Sequence, residues 1–125
     1  MAQDTTPVPD ALLQVATGYA SAQVVHAAAQ LGLADLLAEG PRSVEDLAAV
    51  TGAHAPSLAR LVRALAALGV VAEADGGRIE LTSLGATLRS DVPGSVRDAV
   101  LFLVGEWCWR TWGGLLHSVR TGEPA

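Results

Sequence analysis

The 125-residue chain contains no lysine: its eight basic residues are all arginine, against thirteen acidic ones, for a formal net charge of −5. A surface of that sign repels phosphate polymers unless its few cations gather on one face, so bulk electrostatics argue against nucleic acid as a partner. There is a single cysteine, Cys108, which excludes an internal disulfide and a cysteine-rich metal site. Aromatic residues make up only 4% of the chain although 50% of it is apolar. The apolar content is therefore mostly Ala, Leu and Val, and it favours a mainly α fold. No charged, apolar and cleavage-site segments open the chain in signal-peptide order, and the expected location is cytoplasmic. Between Ala11 and Ala34 formal charge is also missing. Gln14, Thr17, Ser21, Gln23, His26 and Gln30 nevertheless recur there at roughly helical spacing, as the polar edge of a soluble helix would, so no membrane partner is expected.

What is present fits one domain of ordinary size. The mean hydropathy of +0.36 is high for so small a chain, which cannot bury all its apolar surface internally. A partner surface follows, and self-association is its simplest form. The chain divides into a flexible arm over residues 1–9, a body over 10–92, and a long final helix with an exit segment over 93–125. Asp10 is a candidate N-cap for a helix beginning at Ala11, and Gly18 marks a bend or break before helical pattern resumes to Leu31. Ala16, Ala20, Val24, Ala27 and Ala28 share a narrow face that admits a second helix closely, either from another chain or from within the domain.

Ser43 and Asp46 open a helix that ends at Thr51-Gly52, and Pro56 sits in the first turn of the next. In that second helix Leu58, Leu61, Val62, Leu65 and Leu68 follow a helical stripe that faces a core. Gly69 closes it, and residues 70–74 and 78–81 read as a two-stranded hairpin around Asp75-Gly76-Gly77. Helix, turn, helix and hairpin together predict a winged helix-turn-helix. A short helix starts at Thr82-Ser83-Leu84-Gly85. The last helix is expected from Val96 to Val119, with Ser95 and Asp98 in capping positions. Val96, Val100, Leu103 and Trp107 line one side of it, and Leu101, Cys108, Trp112, Leu115 and Val119 another, so it needs cover on several sides.

The chemical inventory is short. A DNA-binding reading would use Ser57, Arg60 and Arg63 on the second helix and Arg78 on the wing. The remaining outward positions of that helix, however, are Ala55, Ala59, Ala64, Ala66 and Ala67, which offer nothing to a base edge. Glu73, Asp75 and Glu80 surround Arg78 on the wing. His26, His54 and His117 lack metal-ligand spacing, Cys108 has no evident base, and no strand runs into GxGxxG. No catalytic residue, metal ligand or cofactor site is therefore expected in these residues. Phe102, Trp107, Trp109 and Trp112 remain, and could line an apolar pocket for a planar ligand or pack at a large interface.

The run LGLADLLAEGPRSVEDLAAVTGAHAPSLARLVRALAALGVVAEADGGRIELTSLGATL, followed by WGGLLHSVRTGEPA, resembles the N-terminal domain of SAM-dependent small-molecule O-methyltransferases acting on polyketides, anthracyclines and plant phenolics. The resemblance extends from about Leu12 to Ala125. It implies a winged helix-turn-helix turned to dimerisation, with N-terminal helices that intertwine in a homodimer and a last helix that helps roof the pocket of a small aromatic substrate. It also implies a Rossmann-like catalytic domain, carrying SAM and its glycine-rich loop, that is not among these residues. Trp112 falls where the family has a tryptophan ahead of the VRTG segment, and Trp109 where an aromatic is common. The alternative is a stand-alone dimeric winged-helix regulator of the same ancestry, binding DNA or a small aromatic metabolite.

Overall fold

The structure, a computed structural model, describes residues 7–125; the rest of the expected N-terminal arm lies outside them. The first helix, α1 (Val8–Ala16), begins earlier than the sequence indicates: Pro9 fits its first turn, and the chain enters from Pro7 rather than from an Asp10 cap. Thr17 ends it, its hydroxyl donating to the Leu13 carbonyl at 2.7 Å. α2 (Gly18–Leu31) follows, so the expected break at Gly18 is present. Gly32, at φ 70, closes α2 in a left-handed conformation that glycine adopts at low cost. α3 (Leu33–Leu37) follows, with Leu33, Ala34 and Leu37 buried.

The two central helices match their sequence signals. α4 (Val44–Thr51) opens on Ser43, whose Oγ accepts from the Asp46 backbone N–H at 3.1 Å, and closes at Gly52. α5 (Ala55–Ala67) carries Pro56 in its first turn. Leu58, Val62 and Leu65 are buried from it, but Leu68 is 37% exposed. The expected core stripe is thus one residue too long, because Leu68 is the C-cap, where the helical path ends.

β1 (Val71–Glu73) and β2 (Ile79–Leu81) form the antiparallel hairpin, with Val71 opposite Leu81 and Glu73 opposite Ile79. Val71 and Ile79 face inward, and an isolated bridge from Arg42 extends the pairing beside Ile79. One core joins these elements: Leu33, Leu37, Leu47, Leu58, Val62, Leu65, Val71 and Ile79 all belong to it. Leu33, Leu47 and Leu65 are fully buried, each contributing on the order of 2 kcal/mol of apolar transfer.

α6 (Ser83–Ala86) is capped by Thr82, whose hydroxyl accepts from the Gly85 N–H at 3.1 Å. Beyond it the expected single helix from Val96 to Val119 is three helices: α7 (Arg97–Leu103), α8 (Glu106–Gly113) and α9 (Leu115–Thr121). The breaks fall at Val104-Gly105 and Gly114, where glycine makes leaving the helix nearly as favourable as staying in it. The capping at the start of α7 also differs from expectation: Ser95 Oγ accepts from the Arg97 N–H at 3.2 Å, while Asp98 faces solvent. No described helix is long and apolar enough to cross a membrane.

Candidate functional site

The seam predicted on the first helices divides in two. Ala16 and Ala20 are exposed, Val24 and Ala27 are half-buried, and Ala28 is 3% exposed within the core of its own domain. The lower half of α2 packs on α3, α5 and α7, which claims Ala28 and leaves the free face at the upper end. That free face is larger than the small-residue pattern suggested. Val8, Leu12, Val15 and Tyr19 are 57–84% exposed, and none of the residues of α1 is buried. The sequence pattern does not single these four out: Val8 falls in the expected N-terminal arm, and only the small residues of the stretch read as the seam.

The excess is measurable. A compact chain of 12.8 kDa exposes about 6,300 Å². This one exposes 8498 Å², and the six undescribed residues explain about 1,000 Å² of the difference even at full exposure. The remaining surplus of about 1,200 Å² exceeds the roughly 800 Å² that each partner buries in a standard interface.

The second apolar surface lies on the other end of the chain. Trp107 is 79% exposed, Trp112 71%, Phe102 64% and Trp109 40%. The structure does not gather these four residues into one pocket. Trp107 lines an open cavity of about 460 Å³ with Glu106, Arg110, Thr111 and Ala125, and an ion pair joins Arg110 to Glu106 one turn away. Trp109 instead meets Tyr19 edge to face, with ring centroids 6.3 Å apart. A smaller apolar cavity of about 160 Å³ opens under α7 between Val25, Val70, Leu84, Leu88, Val96 and Val100. Its walls come from α2, the link between α5 and β1, α6 with the residues after it, and the start of α7, so no single stretch of sequence announces it.

The positions proposed for DNA contact are scattered in their bonding. Ser57 Oγ is 2.8 Å from His54 Nδ1, Arg60 and Arg63 are exposed, and Arg78 donates from Nε to its own turn at the Asp75 carbonyl. Glu73, Asp75 and Glu80 are exposed beside Arg78, so the wing presents more negative than positive charge. The perturbed titrating groups lie elsewhere. The Arg89 guanidinium, 2.8–2.9 Å from both Asp91 oxygens, holds that carboxyl below the ordinary aspartate range and is itself raised. Among the described residues no cluster of His, Cys, Asp and Glu could hold a metal ion. The glycine turn at residues 75–77 returns directly into an antiparallel strand instead of opening a helix, so it offers no phosphate or nucleoside cradle.

Comparison with known proteins agrees with this architecture. The family profile of the O-methyltransferase dimerisation domain matches residues 13–91. The phenazine O-methyltransferase PhzM of Lysobacter antibioticus is 45% identical over 119 residues, covering 95% of this chain and 35% of that protein. The 8-amino-8-demethylriboflavin N,N-dimethyltransferase of Streptomyces davaonensis is 43% identical over 102 residues, or 82% of this chain and 29% of its own length. Human N-acetylserotonin methyltransferase, solved in complex with SAM, superposes with a TM-score of 0.87 at 31% identity, over 98% of this chain and 37% of that one. The chain spans about a third of the length of the relatives it matches.

Proposed function

The chain belongs to the O-methyltransferase dimerisation-domain family, and on that premise we propose that it forms a homodimer through α1 and the upper half of α2 while α7–α9 roof a methyl-acceptor pocket. The observation that carries the dimer is α1 itself: an uncharged apolar face with nothing among the described residues over it. Covering Leu12, Val15 and Tyr19 with their counterparts in a second copy removes that surface from water, and the exposed alanines Ala16 and Ala20 let the backbones approach.

The residues present do not fit SAM, since no strand here leads through a glycine loop into a helix. SAM and the methyl transfer would be supplied by a Rossmann-like domain outside these residues. The part played by this chain is to position a small aromatic acceptor and exclude water from it. Support comes from the exposed indoles of Trp107 and Trp112, which offer flat apolar contacts, and from relatives whose names carry phenazine, riboflavin and N-acetylserotonin ring systems.

Sedimentation equilibrium tests the dimer. The chain is expected to be dimeric at micromolar concentration, and Ala20→Arg to weaken association at least about tenfold, because it places a charge in an apolar seam. A helical content unchanged by circular dichroism would show that the variant still folds. A wild-type chain that stays monomeric throughout the micromolar range would refute the proposal.

A further inference from the structure

We infer that Tyr19 is a positioning residue that ties the orientation of α8, and with it Trp107 and Trp112, to the self-association seam; the link to the seam rests on the dimeric reading above. α8 is set off by breaks at both ends. At Gly105 a Cβ would lie 2.5 Å from the Leu101 carbonyl, so only glycine allows this entry into α8, and Gly114 separates α8 from α9. No residue of α8 is buried, and the apolar core extends along this part of the chain only as far as Val100 of α7. A short helix with a pivot at each end and no share in the core has little to fix its direction.

What touches it from the body is an aromatic ring. Tyr19 meets Trp109 at 6.3 Å with the ring planes 70° apart, an edge-to-face arrangement favoured by the ring quadrupoles. Trp109 is accordingly the least exposed of the three tryptophans. On the other side, Tyr19 stands in the first turn of α2, between Ala16 and Ala20 and directly after the Thr17 break. Any movement of α1 against α2 on pairing with a second copy acts next to Tyr19, and Tyr19 passes it to α8.

Hydrogen exchange of the 125-residue chain, read separately over α8 and α5, tests the contact. Tyr19→Ala is expected to speed exchange over Glu106–Gly113 about two- to tenfold, leave α5 unchanged, and be rescued by Tyr19→Phe. Alanine is the better helix former, so this loosening would not come from melting α2. An α8 unchanged in Tyr19→Ala, or a rise of equal size in α5, would overturn the positioning role. Repeating the wild-type measurement on dilution, with sedimentation run in parallel, tests the link to the seam. Exchange over α8 that rises as the dimer dissociates supports it; dissociation that leaves α8 unaltered overturns it. A chain that never associates overturns the dimeric reading and the link together, while the Tyr19→Ala comparison still decides the contact.

Discussion

Gly85→Ala adds one methyl group to the domain at the point where it has least room. In α6 a Cβ on Gly85 would lie 2.0 Å from the Val70 carbonyl oxygen and 3.1 Å from Leu81 Cδ2. The first neighbour is backbone and has no rotamer to change. The Val70 carbonyl is also committed: it accepts from the Thr82 hydroxyl at 3.0 Å and from the Thr82 N–H at 3.3 Å, tying the end of α5 to the end of the hairpin. Overpacking of this kind costs about 1–3 kcal/mol, and the disturbed hydrogen bonds add about 1 kcal/mol. Replacing a helical glycine returns roughly 0.5–1 kcal/mol. The net loss is about 1–3.5 kcal/mol, or roughly 4–14 °C in Tm for a chain of this size. Gly113→Ala is the matched control. It is a helical glycine with nothing within 4 Å of the added Cβ, so the same chemical change is expected to stabilise by about 0.5 kcal/mol. Thermal unfolding at one fixed protein concentration compares the two, since association shifts Tm. Equal effects of both variants would refute the packing argument.

Leu65→Ala, at a residue with no exposed surface, is expected to cost about 3–5 kcal/mol in urea unfolding, whereas Leu68→Ala at the exposed cap costs less than about 1 kcal/mol. Asp35 ties α3 to a segment 55 residues away, accepting from both the N–H and the hydroxyl of Ser90 at 2.7–2.8 Å. Asp35→Ala should therefore cost about 1–2 kcal/mol in the same assay and speed exchange at the Ser90 amide. The Asp91 carboxyl is held low chiefly by its hydrogen bond from Arg89, so its contribution is present above the ordinary aspartate range and lost as pH falls through the lowered value. Thermal unfolding followed below pH 4 should show a small loss that Asp91→Asn lacks and that about 0.5 M salt removes, because the pair is exposed.

The body of the fold was legible where the signals are local. Ser43 with Asp46, Pro56, and the glycines after α2 and α4 mark helix ends through bonds and dihedrals spanning a few residues, and the hairpin announces itself through Asp75-Gly76-Gly77. The final region was misread as one helix because the apolar spacing from Val96 to Val119 runs without interruption, while a glycine costs a helix only about 1 kcal/mol, which surrounding contacts can tip either way. The aromatic site was half legible. Four aromatics on one stretch suggested a shared pocket, but the break at Gly105 sends Trp109 to Tyr19 and leaves Trp107 at the rim of a separate cavity.

The helix, turn, helix and hairpin order of the body and the recurrence of small residues at Ala16 and Ala20 therefore follow from residue spacing, because capping, turn chemistry and helical period act over one or two turns. The family was legible only as a resemblance carried by a long run of residues. Which apolar residues remain uncovered was settled only in three dimensions. Ala28 and Ala20 look alike on the helix, yet α3, α5 and α7 close over the first while the second stays exposed among the described residues. Burial depends on where distant segments arrive, and the arrival of Trp109 beside Tyr19, ninety residues apart in the chain, is written in no local pattern.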